Sequence, residues 1–162
     1  MKWIQRWLDI IGDGKMIKYF YLVQFKCSNI NHVNSEFDLG VFSTKKNANK
    51  KIENSMNKKG FIDYSKDNFE IIKFGVNFLD EKIDKSKVKL YCVFHEYTKK
   101  DEDLSYWTIF DYFPNINSAK DKVEYLKVHS RLGKKYPNNF MISEIIVDNF
   151  NSWSEGFILN KF

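Results

Sequence analysis

GVFSTKKNANKKI, residues 40–52, has a counterpart later in the chain in DYFPNINSAKDKV, residues 111–123. Both stretches run from apolar residues through a polar turn into a segment of helical periodicity, and Ala48 and Ala119 occupy the same place in them. The same shift of 71 positions aligns YFYLVQF (19–25) with LYCVFHE (90–96), Phe42 with Phe113, Lys51 with Lys122, and Asn68 with Asn139. An ungapped alignment over about sixty residues indicates an internal duplication.

Each repeat is predicted to fold as two strands, a helix and a third strand. The predicted strands are rich in aromatic and β-branched residues, which favour extended chain. The opening strand of each repeat is continuously apolar, so we expect it at the centre of a sheet. The predicted strands are 19–26, 36–42 and 68–76 in the first repeat and 88–97, 106–113 and 139–147 in the second.

The helix of each repeat is predicted from a capping residue followed by a narrow apolar stripe. Ser43 or Thr44 can cap the first helix, because a side-chain oxygen there accepts a hydrogen bond from a free amide of the first turn. The second helix has Asn117 or Ser118 in that role. The stripes, which we expect to face the core, are Ala48, Ile52 and Met56 in the first helix and Ala119, Val123 and Leu126 in the second.

These patterns predict an α+β protein built from tandem duplicated ββαβ units with pseudo-twofold symmetry. We place the first unit at 17–86 and the second at 87–162, both within one globular domain. The two units could share one core, with the helices covering one side of a six-stranded sheet or of two facing sheets. The patterns do not distinguish these two arrangements.

The first sixteen residues lie outside the repeat. Residues 1–16 are predicted to form a short N-terminal amphipathic helix, since Trp3, Trp7 and Leu8 share a face. This helix could dock on the domain, contact a partner or a second copy of the chain, or lie on a membrane surface.

Composition limits the classes of function. The chain of 162 residues is 43% hydrophobic and 17% aromatic, so it can bury a core. Its formal charge of +5 comes from 24 lysines against two arginines, Arg6 and Arg131. Arginine is the residue that contacts guanine or phosphate through two hydrogen bonds at once, so this composition argues against sequence-specific recognition of nucleic acid.

Cysteine usage and hydropathy indicate the compartment. Cys27 and Cys92 have no metal-site spacing, and we expect two buried thiols rather than a disulfide. The first fourteen residues lack the continuous apolar stretch and cleavage site of a signal peptide. No stretch of about 18 apolar residues occurs, so we predict no membrane span and a cytoplasmic location.

No motif indicates catalysis, so we predict that the chain is not an enzyme and has no metal site or cofactor. His95 and Glu96 are neighbours on a predicted strand, and therefore face opposite ways. Cys92 and His95 are expected on opposite faces too, although they are the one pair that could supply a nucleophile and a base. We therefore expect His95 to be structural. His32 and His129 show no metal-ligand spacing.

A local contrast of charge and apolar rings occurs in KKDEDLSYW, 99–107. Its three acidic residues are predicted to lie between two strands, and a solvated loop would explain them. The alternative is a docking edge, in which carboxylates steer a basic partner and exposed rings anchor it. The candidate partner-binding residues are Asp101, Glu102, Asp103, Tyr106 and Trp107.

Four short motifs are divided between the two repeats, two in each. LYCVFHEY (90–97) is an aromatic strand ending in His-x-Tyr, and DNFNSWSEGF (148–157) joins a Trp to Glu-Gly-Phe. GVFS (40–43) enters the first helix, and GFIDY (60–64) follows it. Together they resemble a family of small uncharacterised bacterial domains, present here as two degenerate copies, because each repeat has motifs that the other lacks. The resemblance implies the fold but no particular activity.

In its size, its lysine and asparagine content and its lack of a catalytic motif, the chain is also similar to bacterial immunity proteins. We predict a non-enzymatic protein-binding module, most specifically an immunity protein that binds and neutralises one cognate toxin of a contact-dependent inhibition or other polymorphic toxin system. The alternative is a protein that binds nucleic acid non-specifically through Lys45, Lys46, Lys50, Lys51, Lys58 and Lys59.

Overall fold

A computed structural model describes residues 15–28, 34–79, 88–98 and 105–157. Within these ranges the chain mixes helices with antiparallel strands, which confirms the α+β class. The elements are β1 Lys15–Ser28, β2 Asn34–Phe42, α1 Lys45–Met56, β3 Phe69–Leu79, β4 Lys89–Thr98, β5 Ser105–Phe113, α2 Ile116–His129, α3 Arg131–Lys135 and β6 Phe140–Ile146. Short 3₁₀ helices at Lys66–Asn68 and Pro137–Asn139 lead into β3 and β6.

The described strands form two three-stranded sheets, ordered β2-β1-β3 and β5-β4-β6. β1 and β4 are the central strands, as their continuously apolar sequences predict. β1 pairs antiparallel with β2, and β4 pairs antiparallel with β5. The described strands are therefore divided between two sheets and do not form one sheet of six.

Strand pairing corrects the alignment of the two repeats. Tyr21 lies opposite Phe42, and Tyr91 lies opposite Phe113. The central strands thus correspond at a shift of 70 residues, whereas the strands that follow them correspond at 71. The ungapped alignment was wrong here, because the connection between the first two strands is one residue longer in the second repeat.

Further parallels between the sheets follow from this corrected shift. Each pairing has an irregularity at the same place, which leaves Leu39 on β2 and Phe110 on β5 as extra residues of a β-bulge. At a shift of 70, Phe25 of β1 corresponds to His95 of β4. Common ancestry of the two halves stays a prediction from the sequence.

The helices follow the predicted stripes more closely than the predicted caps. Thr44 caps α1, since its Oγ1 accepts a hydrogen bond from the Asn47 amide at 3.1 Å. For α2 the predicted caps were wrong: the side chain of Asn115 accepts from the Ser118 amide at 2.9 Å, which places Asn117 and Ser118 within the first turn. Asn115 is as good a capping residue, and starting there lengthens the helix.

The buried faces of the two helices differ in composition. The stripe residues of α2 are buried as predicted, and in α1 Ala48 and Ile52 are buried while Met56 is partly so. Lys51 and Ser55 of α1 are also buried, which the stripe did not predict. A second element must therefore cover α1 beside its apolar stripe.

The chain divides into two compact units. The tail-bearing unit combines residues 18–75 with the described part of 146–162, and we call 146–157 the tail. The mid-chain unit comprises 76–145 and the start of β1. The core of the tail-bearing unit is Val23, Phe25, Cys27, Leu39, Phe42, Ala48, Ile52, Phe61 and Phe69, with Phe150 and Phe157 packed against it. The core of the mid-chain unit includes Val93, Ala119, Val123 and Leu126.

Two sequence-based boundaries differ from this organisation. The division into 17–86 and 87–162 assigned the tail to the second unit, whereas the contacts of the tail described below are with the first. The predicted N-terminal helix, residues 1–16, lies outside the described residues except for Lys15 and Met16. Those two residues begin β1 and are not helical.

Candidate functional site

Two of the five candidate partner-binding residues, Tyr106 and Trp107, belong to β5, an edge strand of its sheet. Asp101, Glu102 and Asp103 lie outside the described residues. Tyr106 is part of β5, where its backbone lies opposite that of Tyr97. Trp107 is 61% exposed, although it belongs to a strand of the sheet. The structure therefore places one of the two candidate rings on the surface.

The Trp107 side chain is held against the sheet by a ring on the neighbouring strand. Its ring stacks on that of Phe94 with centroids 5.1 Å apart and planes 7° from parallel. Ile109, two residues along β5 and so on the same face, lies opposite Phe94 and is 40% exposed. These three side chains, here called the aromatic edge, form an apolar surface beside a strand edge, a combination typical of interaction sites.

His95 has the contacts of a core residue. Its side chain is fully buried, its Nε2 lies 2.9 Å from the Tyr136 carbonyl oxygen, and its ring packs edge-on against Phe140 at 4.7 Å. Its Nδ1 is buried without a hydrogen-bond partner among the described residues. Cys92 is buried as well, and neither it nor Cys27 forms a disulfide, as predicted. Burial keeps His95 out of reach of a substrate.

The Asp148 carboxylate joins the tail to the start of α1. It accepts hydrogen bonds from the Ser43 amide at 3.0 Å, the Ser43 hydroxyl, and the Asn47 side-chain amide at 3.0 Å. The Asp148 amide donates to the Val41 carbonyl at 2.9 Å. Because Ser43 and Asn47 flank the start of α1, a carboxylate there also interacts favourably with the helix dipole.

The tail continues along the edge of β2. The Ser152 hydroxyl donates to the Leu39 carbonyl, and the Trp153 indole Nε1–H donates to the Asp38 carbonyl at 3.0 Å. Leu39 is the extra residue of the β-bulge, where a strand carbonyl leaves the regular ladder. Asp148 and Trp153 both have left-handed backbone, with φ of 59° and 55°. The tail therefore satisfies the Leu39 and Asp38 carbonyls through side chains and the Val41 carbonyl through a single backbone amide, without forming a further strand.

The end of the tail docks through two glycines and an aromatic ring. The Phe157 amide donates to the Lys59 carbonyl at 3.0 Å. A Cβ on Gly156 would lie 2.0 Å from that carbonyl oxygen, and one on Gly60 would lie 2.4 Å from the Phe157 carbonyl oxygen. The Phe157 ring then packs against Phe61 with centroids 4.7 Å apart. Both glycines are thus required by close backbone approach.

Lys51 of α1 is buried beneath the tail, with a side chain only 2% exposed. Its ammonium group donates to the Phe150 carbonyl at 3.3 Å and to the Ser152 carbonyl. Burial, and next the charge of Lys58, lower the pKa of Lys51 from its ordinary value. Ser55, one turn further along α1, is buried and its hydroxyl has no hydrogen-bond partner among the described residues.

Motifs that the sequence divided between two repeats thus meet in one unit. The tail motif at 148–157 contacts both GVFS (40–43) and GFIDY (60–64) there. Sequence reasoning missed this site because its halves are about a hundred residues apart. The sequence does contain one signal for this site. The first repeat lacks a tail motif, and the second lacks the Gly-Phe-x-Asp-Tyr motif that a tail would dock against. A tail in the second repeat could therefore be expected to dock on the first.

No group of His, Cys, Asp and Glu side chains suited to a metal ion occurs within the described ranges. No helix in the same part of the chain is long and apolar enough to cross a membrane. Comparison with known proteins adds no relative from which a role could be transferred. No model of a known protein family, no curated protein and no solved structure matches this chain.

Proposed function

We propose that this chain is a non-enzymatic protein-binding module, most specifically an immunity-type protein that binds and neutralises a cognate toxin. The observation that carries the proposal is the aromatic edge, with Trp107 stacked on Phe94 and 61% exposed. Tryptophan held in one rotamer loses little side-chain entropy on binding, and tryptophan is among the residues that contribute most to protein interfaces.

Charge that is close in sequence to the aromatic edge suggests the chemistry of the partner. Asp101, Glu102 and Asp103 precede Trp107 by four to six positions. A cluster of three carboxylates beside an apolar anchor would favour a partner whose contact surface is basic, because complementary charges raise association rates and suppress wrong pairings. The net charge of the whole chain is +5, so this attraction would be local and would weaken with added salt.

The test is capture of the tagged protein from its native host at moderate salt, with and without nuclease, followed by identification of the bound proteins. A stoichiometric partner that survives nuclease treatment supports the proposal. Trp107→Ala should then weaken binding of that partner about 30-fold or more, the loss of an interface anchor. Tyr125→Ala is the matched control, since Tyr125 is a 58% exposed ring on α2.

A second pair of variants separates charge from packing. Neutralising Asp101, Glu102 and Asp103 together as Asn, Gln and Asn should slow association and reduce its salt dependence. The control neutralises acidic residues on other elements, namely Glu53, Asp63 and Asp121. If both triple variants change the association rate and its salt dependence equally, the effect comes from net charge and not from these three residues. That result would remove the support for a docking role of Asp101, Glu102 and Asp103.

Non-specific binding of nucleic acid is the competing outcome of the same capture. Recovery of mixed proteins that disappear on nuclease treatment would favour it over a dedicated protein partner. Of the lysines predicted to contact phosphates, Lys51 is buried and donates to tail carbonyls, so it is not part of the exposed lysine surface of α1 that a nucleic-acid backbone would meet. Lys45, Lys46 and Lys50 remain exposed on α1.

A further inference from the structure

An open cleft of about 440 Å³ lies in the tail-bearing unit, between the second half of α1 and the tail. This volume is in the range of small-molecule sites. On one side the cleft is lined by Lys51, Asn54, Ser55, Asn57 and Lys58, and on the other by Phe150, Asn151, Trp153 and Ser154. One wall is therefore polar and cationic, and the other contains two aromatic rings.

Among the described residues, no carboxylate forms an ion pair with the cationic wall. No ion pair joins Lys51 or Lys58 to an acidic side chain within 4.0 Å in the described part of the chain. The charge of Lys58 acts on Lys51, so the two ammonium groups are close enough to repel each other. Burial of a cation and repulsion by a second one are both relieved by an anion bound between them.

Hydrogen-bond donors are also in excess on this wall. An ammonium group has three N–H donors, and the Lys51 group uses two of them on the Phe150 and Ser152 carbonyls. Ser55 lines the cleft, and its hydroxyl is buried and has no partner among the described residues. A rotation about its Cα–Cβ bond is the smallest motion that would turn this hydroxyl toward a ligand. An acceptor in the cleft could satisfy both groups.

We propose that this cleft binds a small organic anion, with one carboxylate or phosphate group attached to a planar ring. The anionic group would lie between Lys51 and Lys58 and accept from the Ser55 hydroxyl. The ring would contact Phe150 and Trp153, the two aromatic side chains that line the cleft. This site shares no residue with the aromatic edge and does not depend on the protein-binding function.

The full chain is titrated with four probes, and ¹H–¹⁵N NMR spectra are recorded. Benzoate and adenosine monophosphate contain both a ring and an anionic group, whereas inorganic phosphate lacks the ring and benzyl alcohol lacks the charge. We expect a dissociation constant of about 1 mM or below for at least one ring-bearing anion. The signals that should shift are the Ser55 amide and the Trp153 indole N–H, which donates to Asp38 within the tail contact.

Two variants test the residues that hold the anion. Lys51→Met keeps the length of the side chain but removes its charge, and should weaken binding about tenfold or more. Because that change could also loosen the tail, Ser55→Ala is the second variant. It removes a buried unpaired hydroxyl and should leave the fold intact while weakening binding about fivefold. Lys46→Met, on the exposed side of α1, is the control and should leave affinity unchanged.

Several results would overturn the proposal. No shift of either signal with benzoate or adenosine monophosphate up to about 10 mM would exclude the site at any useful affinity. Equal binding of benzyl alcohol and benzoate would show that the anion is not recognised. Equal binding of inorganic phosphate and adenosine monophosphate would remove the role of the rings. Binding that both variants leave unchanged would place the ligand elsewhere.

Discussion

Replacement of Asp148 should separate the tail from the rest of its unit. The Asp148 carboxylate receives hydrogen bonds from the Ser43 amide, the Ser43 hydroxyl and the Asn47 side chain. Its backbone is left-handed, with φ of 59°. Asp148→Ala removes the acceptor and disfavours this backbone, whereas Asp148→Asn retains an acceptor oxygen and tolerates left-handed φ. The two variants therefore differ in whether residue 148 can accept a hydrogen bond and in how well it tolerates left-handed backbone.

The expected losses follow from these contacts. In Asp148→Ala, leaving the donors of Ser43 and Asn47 without their acceptor should cost about 2 kcal/mol, because the site is partly open to water. Left-handed backbone for alanine adds about 1 kcal/mol, giving a total of about 3 kcal/mol. Asp148→Asn loses the charge, with its interaction with the start of α1, and one of the two acceptor oxygens. Its new NH₂ group can donate to the Ser43 hydroxyl, so that contact can be kept. The net loss should be about 1 kcal/mol.

The measurement is urea denaturation followed by far-ultraviolet circular dichroism, which gives the free energy of unfolding. The NMR signal of the Trp153 indole, recorded on the same samples, reports on the tail itself. Asp121→Asn is the control, because Asp121 is an exposed acidic residue on α2 and should change stability by less than about 0.5 kcal/mol.

The order of the two variants decides the question. If Asp148→Asn is as destabilising as Asp148→Ala, then charge outweighs hydrogen bonding and backbone conformation, contrary to the argument above. If neither variant changes stability by more than about 0.5 kcal/mol, the contacts at Ser43 and Asn47 do not hold the tail in solution. Either result would refute the assigned role of Asp148.

Three further predictions concern buried groups. The pKa of Lys51 is lowered in the folded chain, so the unfolded chain binds more protons just below pH 10.5, and wild-type stability should rise relative to Lys51→Met as pH increases toward 10.5 in urea titrations. Gly156→Ala forces a Cβ to 2.0 Å from the Lys59 carbonyl oxygen at positive φ, and a loss of about 2–4 kcal/mol or a displaced tail should appear in thermal unfolding and NMR. His95→Phe should stay within about 1 kcal/mol of wild type by denaturation, because it removes an orphan nitrogen along with one hydrogen bond, whereas His95→Ala should cost about 3 kcal/mol. Unchanged pH dependence in Lys51→Met, an unshifted unfolding temperature in Gly156→Ala, or equal losses in the two His95 variants would each contradict the corresponding argument.

The regular elements were predictable because their signals are local. Continuous runs of aromatic and β-branched residues predicted the strands. The two most apolar strands, β1 and β4, are central in their sheets. The stripes at Ala48 and Ile52 and along α2 predicted which helix faces are buried. The cap of α2 was misplaced by two residues, because Asn115 and Asn117 are chemically equivalent caps and only the folded turn chooses between them.

The candidate sites were less accessible from sequence. Trp107 is exposed on an edge strand, but its stacking on Phe94 depends on the pairing register, which the bulge at Phe110 shifts by one residue. Lys51 lies beside the apolar stripe of α1, where a lysine is normally solvated. It is buried because a segment about a hundred residues later covers it, and no local pattern encodes that partner.

The sequence alone determined the type and order of the elements, the central strands and the polar character of the helix surfaces, because residue periodicity and local hydrogen bonding act over a few positions. Only the tertiary structure decided that the tail completes the earlier unit. That choice depends on contacts between distant residues, such as the Asp148 carboxylate with Ser43 and the Phe157 ring with Phe61. Such contacts depend on whether two surfaces fit together in three dimensions, and the distance between residues along the chain does not predict that fit.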